Sequence, residues 1–252
     1  MEIEKVNVLG IGISVLDQDR ARDFLFDAVR NGARRYVTVT GVHGVMEAQR
    51  DSTLKDIFNR ALLVTPDGMP MVWMGKLQGH SSIRRVYGPD LMLNICQHSV
   101  DEGFSHFFYG GVSGVADQLK QELQERFPGL KIVGTYTPPF RQLNETELGE
   151  LRQRISNLRP DFFWVGLSTP KQEFFMAEYI SILSDAKIFI GVGAAFDLLT
   201  GRVRQSPRWI QRVGLEWLFR FFQEPKRLWK RYLINNPLFI FRAAKQLLGS
   251  RK

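Results

Sequence analysis

The sequence predicts an α/β fold, in which a mostly parallel, Rossmann-like sheet carries helices on both faces. Two observations predict it. Short apolar runs alternate with amphipathic segments of helical length throughout residues 1–200, as is typical of parallel sheets joined by crossover helices. From residue 201 the pattern changes to aromatic and basic residues at three- and four-residue steps, which indicates helix. We therefore divide the chain into an α/β domain, residues 1–200, expected to hold the chemistry, and a C-terminal helical, basic appendage, residues 201–252.

The apolar runs are rich in β-branched and aromatic residues and mostly end at Gly, Pro or Thr. They predict strands at Val6–Val15, Tyr36–Thr40, Leu62–Thr65, His106–Tyr109, Lys131–Tyr136, Phe162–Leu167 and Ile188–Val192. The segments between them predict helices at Asp19–Asn31, His43–Arg60, Asp90–Glu102, Val115–Phe127, Glu145–Leu158 and Pro170–Leu183. In the appendage, Pro225 and Pro237 are expected to divide the chain into two or three helical pieces, because proline interrupts a helix.

Composition excludes several classes of protein. With 252 residues, of which 44% are hydrophobic, the chain can bury a sizeable core. Its single cysteine, Cys96, cannot form an internal disulfide or a cysteine-built metal site, and we expect it in the core. No apolar run reaches the length of about 18 residues that predicts a membrane-spanning helix. The N-terminus lacks a signal-peptide pattern, so we expect a cytoplasmic protein.

Positive charge is concentrated in the appendage. Residues 201–252 contain 13 of the 34 Lys and Arg residues but only 2 of the 26 Asp and Glu residues. Such asymmetry indicates an anionic partner, namely a membrane surface, a nucleic acid or a phosphorylated ligand. Two interpretations stay open: a helical layer that covers the sheet, or an interfacial segment whose Trp and Phe side chains lie at the lipid headgroups while Lys and Arg pair with phosphates.

One candidate for chemistry is the turn Thr65-Pro66-Asp67-Gly68, at the end of a predicted strand. Ligands of open α/β sheets bind beyond the carboxyl ends of the strands. The Asp67 carboxylate could act there as a general base on a hydroxyl within hydrogen-bond reach. The alternative is an ordinary turn, since Pro-Asp-Gly is a common turn sequence.

Three further strand ends are candidates for binding a ligand. Gly110 and Gly111 would let the backbone approach a phosphate at the following helix N-terminus, although a tight turn explains them equally well. Lys171 and Gln172 follow the Ser168-Thr169-Pro170 segment, which is expected to cap the next helix with Pro170 at its first position. Asp197 would face a sugar or a base after Gly191-Val192-Gly193, unless these small residues serve helix packing.

Several common motifs are absent from the sequence. It has neither a GxGxxG fingerprint nor a GxxxxGK[ST] loop. The four histidines show no metal-ligand spacing, and no Asp-x-Asp pair follows a strand. We therefore expect no metal and no cofactor. If the protein transfers an activated sugar, Arg and Lys side chains must stabilise the charge of the leaving group.

The motifs of this sequence resemble those of the WecG/TagA/CpsF glycosyltransferase family, in order and over nearly the whole chain. The matching stretches are TPDG (Thr65–Gly68), YGPDLM (Tyr87–Met92), FFYGG (Phe107–Gly111), VGLSTPKQE (Val165–Glu173), GVGAAFDLLTGRVRQSPRWIQ (Gly191–Gln211) and GLEWLFRFFQEPKRLWKRYL (Gly214–Leu233). The resemblance implies an inverting bacterial enzyme. Such an enzyme passes a sugar, often N-acetylmannosamine or its uronic acid, from a UDP-sugar to a polyprenyl-diphosphate-linked sugar. Its products feed teichoic acid, enterobacterial common antigen or exopolysaccharide.

The resemblance also implies roles for residues of the α/β domain. The family's proposed base corresponds to Asp67, and its glutamine after the Ser-x-Pro turn corresponds to Gln172. A site threonine corresponds to Thr40, with Thr38 as the alternative, because this sequence reads VTVTGVHGV where many relatives carry an Asn two positions after the Thr.

In the appendage, the resemblance implies a membrane-docking lid that bears active-site arginines. These correspond to Arg220, Arg227 and Arg231, with Lys230 as the alternative to Arg231. A peripheral location on the inner face of the cell membrane follows. The sequence leaves the donor sugar, the acceptor sugar and the oligomeric state open.

Other functions are less well supported by the residues. A nucleic-acid-binding protein would use the basic, aromatic appendage, but no RRM, KH or helix-turn-helix pattern is present, and we expect no nucleic-acid partner. A nicotinamide-dependent oxidoreductase lacks its fingerprint. A family member that has lost activity and acts as a membrane scaffold would not need both Asp67 and Gln172.

Overall fold

The computed structural model describes residues 3–249 and contains eight strands in two sheets. The strands are β1 (Lys5–Val8), β2 (Ile11–Ser14), β3 (Arg35–Thr40), β4 (Leu63–Pro66), β5 (Ser105–Gly110), β6 (Lys131–Tyr136), β7 (Phe162–Gly166) and β8 (Ile188–Gly191). Strands β3 to β8 form one parallel sheet in the order β4-β3-β8-β7-β5-β6. The predicted α/β class with a parallel sheet is confirmed.

Helices connect the strands and form the C-terminal region. They are α1 (Gln18–Arg30), α2 (Val42–Ala48), α3 (Ser52–Arg60), α4 (Met69–Leu77), α5 (Gly88–Glu102), α6 (Val115–Arg126), α7 (Glu145–Leu158), α8 (Lys171–Tyr179), α9 (Ala195–Leu199), α10 (Arg208–Arg212), α11 (Glu216–Gln223), α12 (Pro225–Trp229) and α13 (Asn235–Gly249). A π-helical turn, Lys230–Ile234, joins α12 to α13. Helices α6 and α7 have close to the predicted lengths.

Both faces of the parallel sheet are buried. Successive side chains of a strand point to opposite faces, so Phe163 packs in the core that faces α3, α7 and α8, whereas Trp164 packs in the core that faces α1, α5 and α6. Each of these side chains is fully buried. Cys96 is buried in the second core, as expected for a structural cysteine. Polar side chains are therefore confined mostly to the strand ends and the helix surfaces.

The predicted first strand, Val6–Val15, is wrong in one respect, because it is an antiparallel hairpin of β1 and β2. Leu9 and Gly10 adopt positive φ angles of 52° and 84° and reverse the chain between them. The Gly10 amide donates to Asn7 Oδ1 at 2.7 Å, which stabilises the turn. A continuous apolar run does not reveal a reversal that depends on two backbone angles.

The predicted helix His43–Arg60 is also divided, into α2 and α3. The chain leaves the helical conformation at Asp51, whose side chain caps α3 by accepting from the Leu54 amide at 3.0 Å. Helix α4 was not predicted. It begins directly after the Asp67-Gly68 turn and has a mostly apolar sequence without a clear helical stripe.

The appendage does not break at both prolines as predicted. Pro225 begins α12 after the non-helical Glu224, but Pro237 lies inside the continuous run from Pro225 to Gly249. The π-helical turn just before Pro237 widens the helix, and such a turn relieves the crowding of a proline ring against the preceding turn. Within residues 3–249, no helix combines the length and the hydropathy needed to cross a bilayer.

Gly110 provides a test of how closely the strands pack at this end of the sheet. It has a φ of 126°, and a Cβ atom there would lie 2.6 Å from the carbonyl oxygen of Gly166 on β7. Gly114 in the same loop also has a positive φ, 82°, but a Cβ atom there would meet nothing within 4 Å. We predict that Gly110→Ala lowers the free energy of unfolding by about 2 kcal/mol more than Gly114→Ala, because it adds a backbone clash to the conformational cost. Urea denaturation of both variants measures this difference, and equal losses would contradict it.

Candidate active site

A cleft of about 1230 Å³ lies at the carboxyl ends of the parallel strands and is covered on one side by the appendage. Its position agrees with the rule that ligands of open α/β sheets bind at this edge, and its volume exceeds that of a typical small-ligand pocket. The cleft brings together eight of the predicted residues: Asp67, Gly111, Lys171, Gln172, Asp197, Arg220, Arg227 and Arg231.

Asp67 is held by contacts on both its backbone and its side chain. Its amide donates to the carbonyl of Thr40 at 3.0 Å, which fixes the end of β4 against β3. Its Oδ1 accepts from the amide of Gly88, the first residue of α5, at 3.2 Å. The Arg85 guanidinium donates to its carbonyl oxygen. The predicted Pro-Asp-Gly turn is therefore present, and it presents a carboxylate to the cleft.

The surroundings of Asp67 alter its basicity. Burial raises the pKa of the Asp67 carboxyl above its ordinary value, and the negative charge of Glu216 raises it further. The cations Arg85 and Arg220 and the hydrogen bond from Gly88 act in the opposite direction. A carboxylate with a raised pKa is a better proton acceptor when it is ionised, as general-base chemistry requires.

The appendage places three arginines at the cleft. The Nε atoms of Arg220 and Arg231 are buried and have no hydrogen-bond partner among residues 3–249. Burial lowers the pKa of Arg231, and the neighbouring charges of Arg220 and Arg227 lower it as well, although Tyr232 and Asp67 act against this. Neighbouring guanidinium groups that repel each other, and whose buried Nε atoms lack an acceptor, favour an anionic ligand with several oxygens.

Arg227 differs from the other two arginines. Its side chain is more exposed and forms an ion pair with Glu224 at 2.5 Å, within the same helical turn. Lys230, the alternative to Arg231, also lines the cleft, but it is exposed and its Nζ lies 5.5 Å from the centre of the Trp229 ring. Arg231 is the more enclosed of these two neighbours, and it interacts electrostatically with Asp67.

Gln172 is almost fully buried at the cleft floor, and both ends of its amide are engaged. Its Oε1 accepts from the Gly193 amide at 2.9 Å, and its Nε2 donates to Glu173 Oε1 at 3.0 Å. Thr169 donates to the same Glu173 oxygen at 2.9 Å. Burial raises the pKa of the Glu173 carboxyl. Gln172 therefore ties the start of α8 to the turn after β8, which shapes the cleft floor.

The turn before α8 differs from the prediction. Pro170 occupies the N-cap position, one residue before the helix, and neither Ser168 nor Thr169 caps α8. Ser168 has a positive φ of 67°, and the Thr169–Pro170 peptide is cis. Lys171 is the exposed first residue of α8 and faces the cleft.

Asp197 and Gly111 line the part of the cleft formed by the ends of β5 and β8. Asp197 lies 3.8 Å from Arg202 Nε in a half-exposed ion pair. The Gly111 amide donates to the Gly166 carbonyl at 3.1 Å. Gly111 has a φ of 72°, a backbone angle that favours glycine. The close turn after β5 therefore favours glycine here, as does the cleft.

Two predicted residues do not line the cleft. Gly110 packs against the backbone of Gly166 behind it. Thr40 is buried beside α2, where a Cβ atom on Gly44 would lie 3.2 Å from its methyl group. The hydroxyls of Thr40 and of its alternative Thr38 are both buried without a hydrogen-bond partner in the described part of the chain. The role of Thr40 in the site stays a prediction.

Sequence reasoning missed Arg85, Tyr87 and His43. Arg85 lies two residues before the YGPD motif. Its guanidinium carbon is 4.2 Å from the centre of the Tyr87 ring, and the guanidinium forms an ion pair with Glu216. His43 lines the cleft, and burial, together with the charge of Arg231, lowers its pKa to about 3. The signal for Glu216 was its position as one of two acidic residues in the appendage. Arg220 follows Glu216 in the same helix, but the ion-pair partner of Glu216 is Arg85.

Across residues 3–249, no three His, Cys, Asp or Glu side chains lie close enough together to hold a metal ion. The expectation that the chemistry needs no metal stays a prediction.

Comparison with known proteins identifies a family and similar enzymes. Two N-acetylglucosaminyldiphosphoundecaprenol N-acetyl-beta-D-mannosaminyltransferases are similar to this chain. The protein from Bacillus spizizenii is 28% identical over 206 residues, which cover 82% of this chain and 77% of the relative. That from Bacillus subtilis (strain 168) is 28% identical over 186 residues, which cover 74% and 70%. Residues 6–252 match the sequence pattern of one family, and the chain belongs to the glycosyl transferase WecG/TagA/CpsF family.

Proposed function

We propose that this glycosyltransferase moves a sugar of the N-acetylmannosamine type from a UDP-sugar to a polyprenyl-diphosphate-linked sugar, in the synthesis of a bacterial cell-surface polysaccharide. One observation carries the proposal: an enclosed carboxylate, Asp67, shares a cleft with Arg220 and Arg231, whose buried Nε atoms have no acceptor among the described residues. A diphosphate supplies the missing acceptors, and a sugar hydroxyl supplies a proton for Asp67. The names of the two Bacillus relatives support this acceptor and this sugar.

The reaction is a single displacement. Asp67 takes the proton of the acceptor hydroxyl as its oxygen attacks the anomeric carbon. The bond from that carbon to the diphosphate breaks, and its electron pair leaves with UDP. Arg220 and Arg231 stabilise the charge that develops on the leaving diphosphate, and their partly buried positions strengthen this interaction. Attack opposite to the leaving group inverts the anomeric configuration.

Other residues of the cleft bind and orient the substrates in this proposal. Gln172 accepts from the Gly193 amide and so holds the turn after β8 in place at the floor of the donor site. Lys171 adds a positive charge at the start of α8, where helix amides also favour an anion. We place the UDP moiety near Gly111 and Asp197, at the point where the strand order changes direction. The proposal needs neither a metal ion nor another cofactor.

The appendage docks the enzyme peripherally on an anionic membrane in this proposal. Large apolar side chains of the appendage are exposed, among them Trp209, Phe222, Trp229, Ile240 and Phe241, and they alternate with its basic residues. Exposed apolar surface combined with excess positive charge is typical of interfacial segments. Docking there brings the cleft to its lipid-linked acceptor.

The proposed function is tested by incubating the protein with a panel of UDP-sugars and a short-chain polyprenyl-diphosphate-linked N-acetylglucosamine. Mass spectrometry of the lipid measures the product. We expect one UDP-N-acetylhexosamine to add a single sugar, with and without EDTA, because arginines carry the charge of the leaving group. Failure of every UDP-sugar would refute the proposed donor class, and a loss under EDTA that Mg²⁺ restores would refute metal independence.

Asp67→Asn serves as the variant for this assay. It keeps the shape of the side chain but removes the proton acceptor, so turnover should fall by about 10²–10⁴. Binding of UDP, measured by calorimetry, should stay near that of the wild type. Turnover close to the wild-type rate would show that Asp67 is not the base.

Another prediction concerns the geometry of the arginines. Arg220→Lys keeps the charge but loses the planar fork that binds two oxygens at once, and turnover should fall by about tenfold or more. Arg227→Lys should have the smaller effect of the two, because Arg227 also pairs with Glu224. Turnover and melting temperature are measured on the same preparations. Normal turnover of a folded Arg220→Lys protein would contradict the leaving-group role of Arg220.

A further prediction concerns binding to the membrane. The protein should sediment with vesicles that contain anionic lipid at low salt and dissociate partly at high salt, because each basic residue near the surface contributes about 1 kcal/mol that salt screens. Phe222→Ser and Phe241→Ser should weaken binding, whereas Leu77→Ser, an exposed apolar site outside the appendage, should not. Point variants are preferable to truncation because Phe239 and Ala243 of α13 pack in the core. Equal binding to neutral vesicles would contradict the electrostatic contribution.

A further inference from the structure

Arg85 contacts both the catalytic turn and the appendage. Its Nε donates to the carbonyl oxygen of Asp67, and its Nη2 pairs with Glu216, the first residue of α11. Its Nη1 also lies 3.4 Å from Gln211 Oε1. The planar guanidinium stacks over the ring of Tyr87. One side chain thus joins the turn that carries the base to the helix that carries Arg220.

Burial distinguishes this ion pair from another pair between the appendage and the α/β domain. The side chains of Arg85 and Glu216 are 16% and 15% exposed, whereas Arg208, which pairs with Asp90 at 2.8 Å, is 70% exposed. Removing one partner of a buried pair leaves an uncompensated charge and is strongly destabilising. Loss of an exposed pair costs little, because water solvates both charges.

The start of α11 is also seated by packing. Gly214 has a φ of 75°, and a Cβ atom there would lie 2.8 Å from the ring of Trp73 on α4, the helix that follows the Asp67 turn. Glu216 therefore starts α11 between α4 on one side and Arg85 on the other. Arg220 follows Glu216 by four residues, which places both side chains on one face of the helix.

From these contacts we infer that Arg85 and Glu216 form a latch, which closes the appendage over the Asp67 turn and so positions Arg220 and Arg231 opposite the base. This inference rests on the proposed function. The two latch residues act as positioning residues, because they contact the turn and the helix and not the substrate. When the latch opens, the arginines move away from the base and water enters between them.

The latch has an electrostatic consequence. The charged and titratable groups that face Asp67 are Arg85 and Tyr87 before α5, Glu216 and Arg220 on α11, and Arg231 on the π-helical turn. The Glu216 charge raises the pKa of Asp67, so its removal lowers that pKa. Greater access of water acts in the same direction, whereas withdrawal of Arg220 and Arg231 acts against it. Burial and Glu216 influence this pKa more strongly than Arg220 does, so the net shift is downward. Because the base works in its ionised form, the acid limb of kcat/KM should move to lower pH in Glu216→Gln.

Amide hydrogen exchange of the full-length protein tests the latch without reference to activity. Glu216→Gln and Arg85→Lys should both accelerate exchange about tenfold or more in two segments together, the Asp67-Gly68 turn and α11, because a buried pair is broken. Arg85→Lys keeps the charge but cannot reach all three partners. Arg208→Gln is the matched control, which removes the exposed pair and should leave the turn unchanged.

The pH dependence of kcat/KM supplies the second measurement. The latch predicts a shift of the acid limb to lower pH in Glu216→Gln and none in Arg208→Gln. Faster exchange confined to α11, or an unmoved acid limb in a folded Glu216→Gln protein, would overturn the latch while the proposed function stands. If the wild type forms no product with any UDP-sugar, the proposed function fails, and hydrogen exchange still decides whether the latch exists.

Discussion

Phe163 and Trp164 are neighbours on β7, point to opposite faces of the parallel sheet, and are both fully buried. This two-sided burial determines where polar chemistry can occur. A buried sheet face has no water to solvate a charge, and burying an unpaired charge is costly. Charged groups therefore collect at the carboxyl ends of the strands, where the loops leave the sheet. The cleft, the Asp67 turn and the small residues at Gly111 and Gly193 all lie at that edge.

The acidic and basic groups of this cleft lie close together, but most of them are not paired with each other. Asp67 is enclosed enough for its pKa to rise, while Arg220 and Arg231 lie nearby with buried nitrogens that no described residue satisfies. Such an arrangement is unfavourable by itself and becomes favourable when a polyanion binds between the arginines. In the proposed reaction that polyanion is the diphosphate of the donor.

Much of the sheet could be predicted from the sequence, since β6 and α7 have the predicted boundaries and the ends of the other parallel strands differ from the predictions by at most one residue. Apolar periodicity reports burial, and burial is what distinguishes these elements. The errors arose where apolar periodicity does not report the local backbone. The turn at Gly10, the break at Asp51 and the continuation of the helix through Pro237 depend on backbone angles or local capping.

The sequence by itself determined the α/β class, the concentration of positive charge after residue 200 and the identity of Asp67 and Gln172 as candidates, because periodicity, net charge and strand-end motifs are local properties. Only the tertiary structure decided which charges meet. Glu216 lies near Arg220 and Arg227 in the chain, yet it pairs with Arg85, 131 residues away. The position of Gly110 at the end of a strand indicated a ligand-binding glycine, but Gly110 packs against β7. Partners across a fold follow from how helices pack on the sheet, and that packing depends on the whole chain at once.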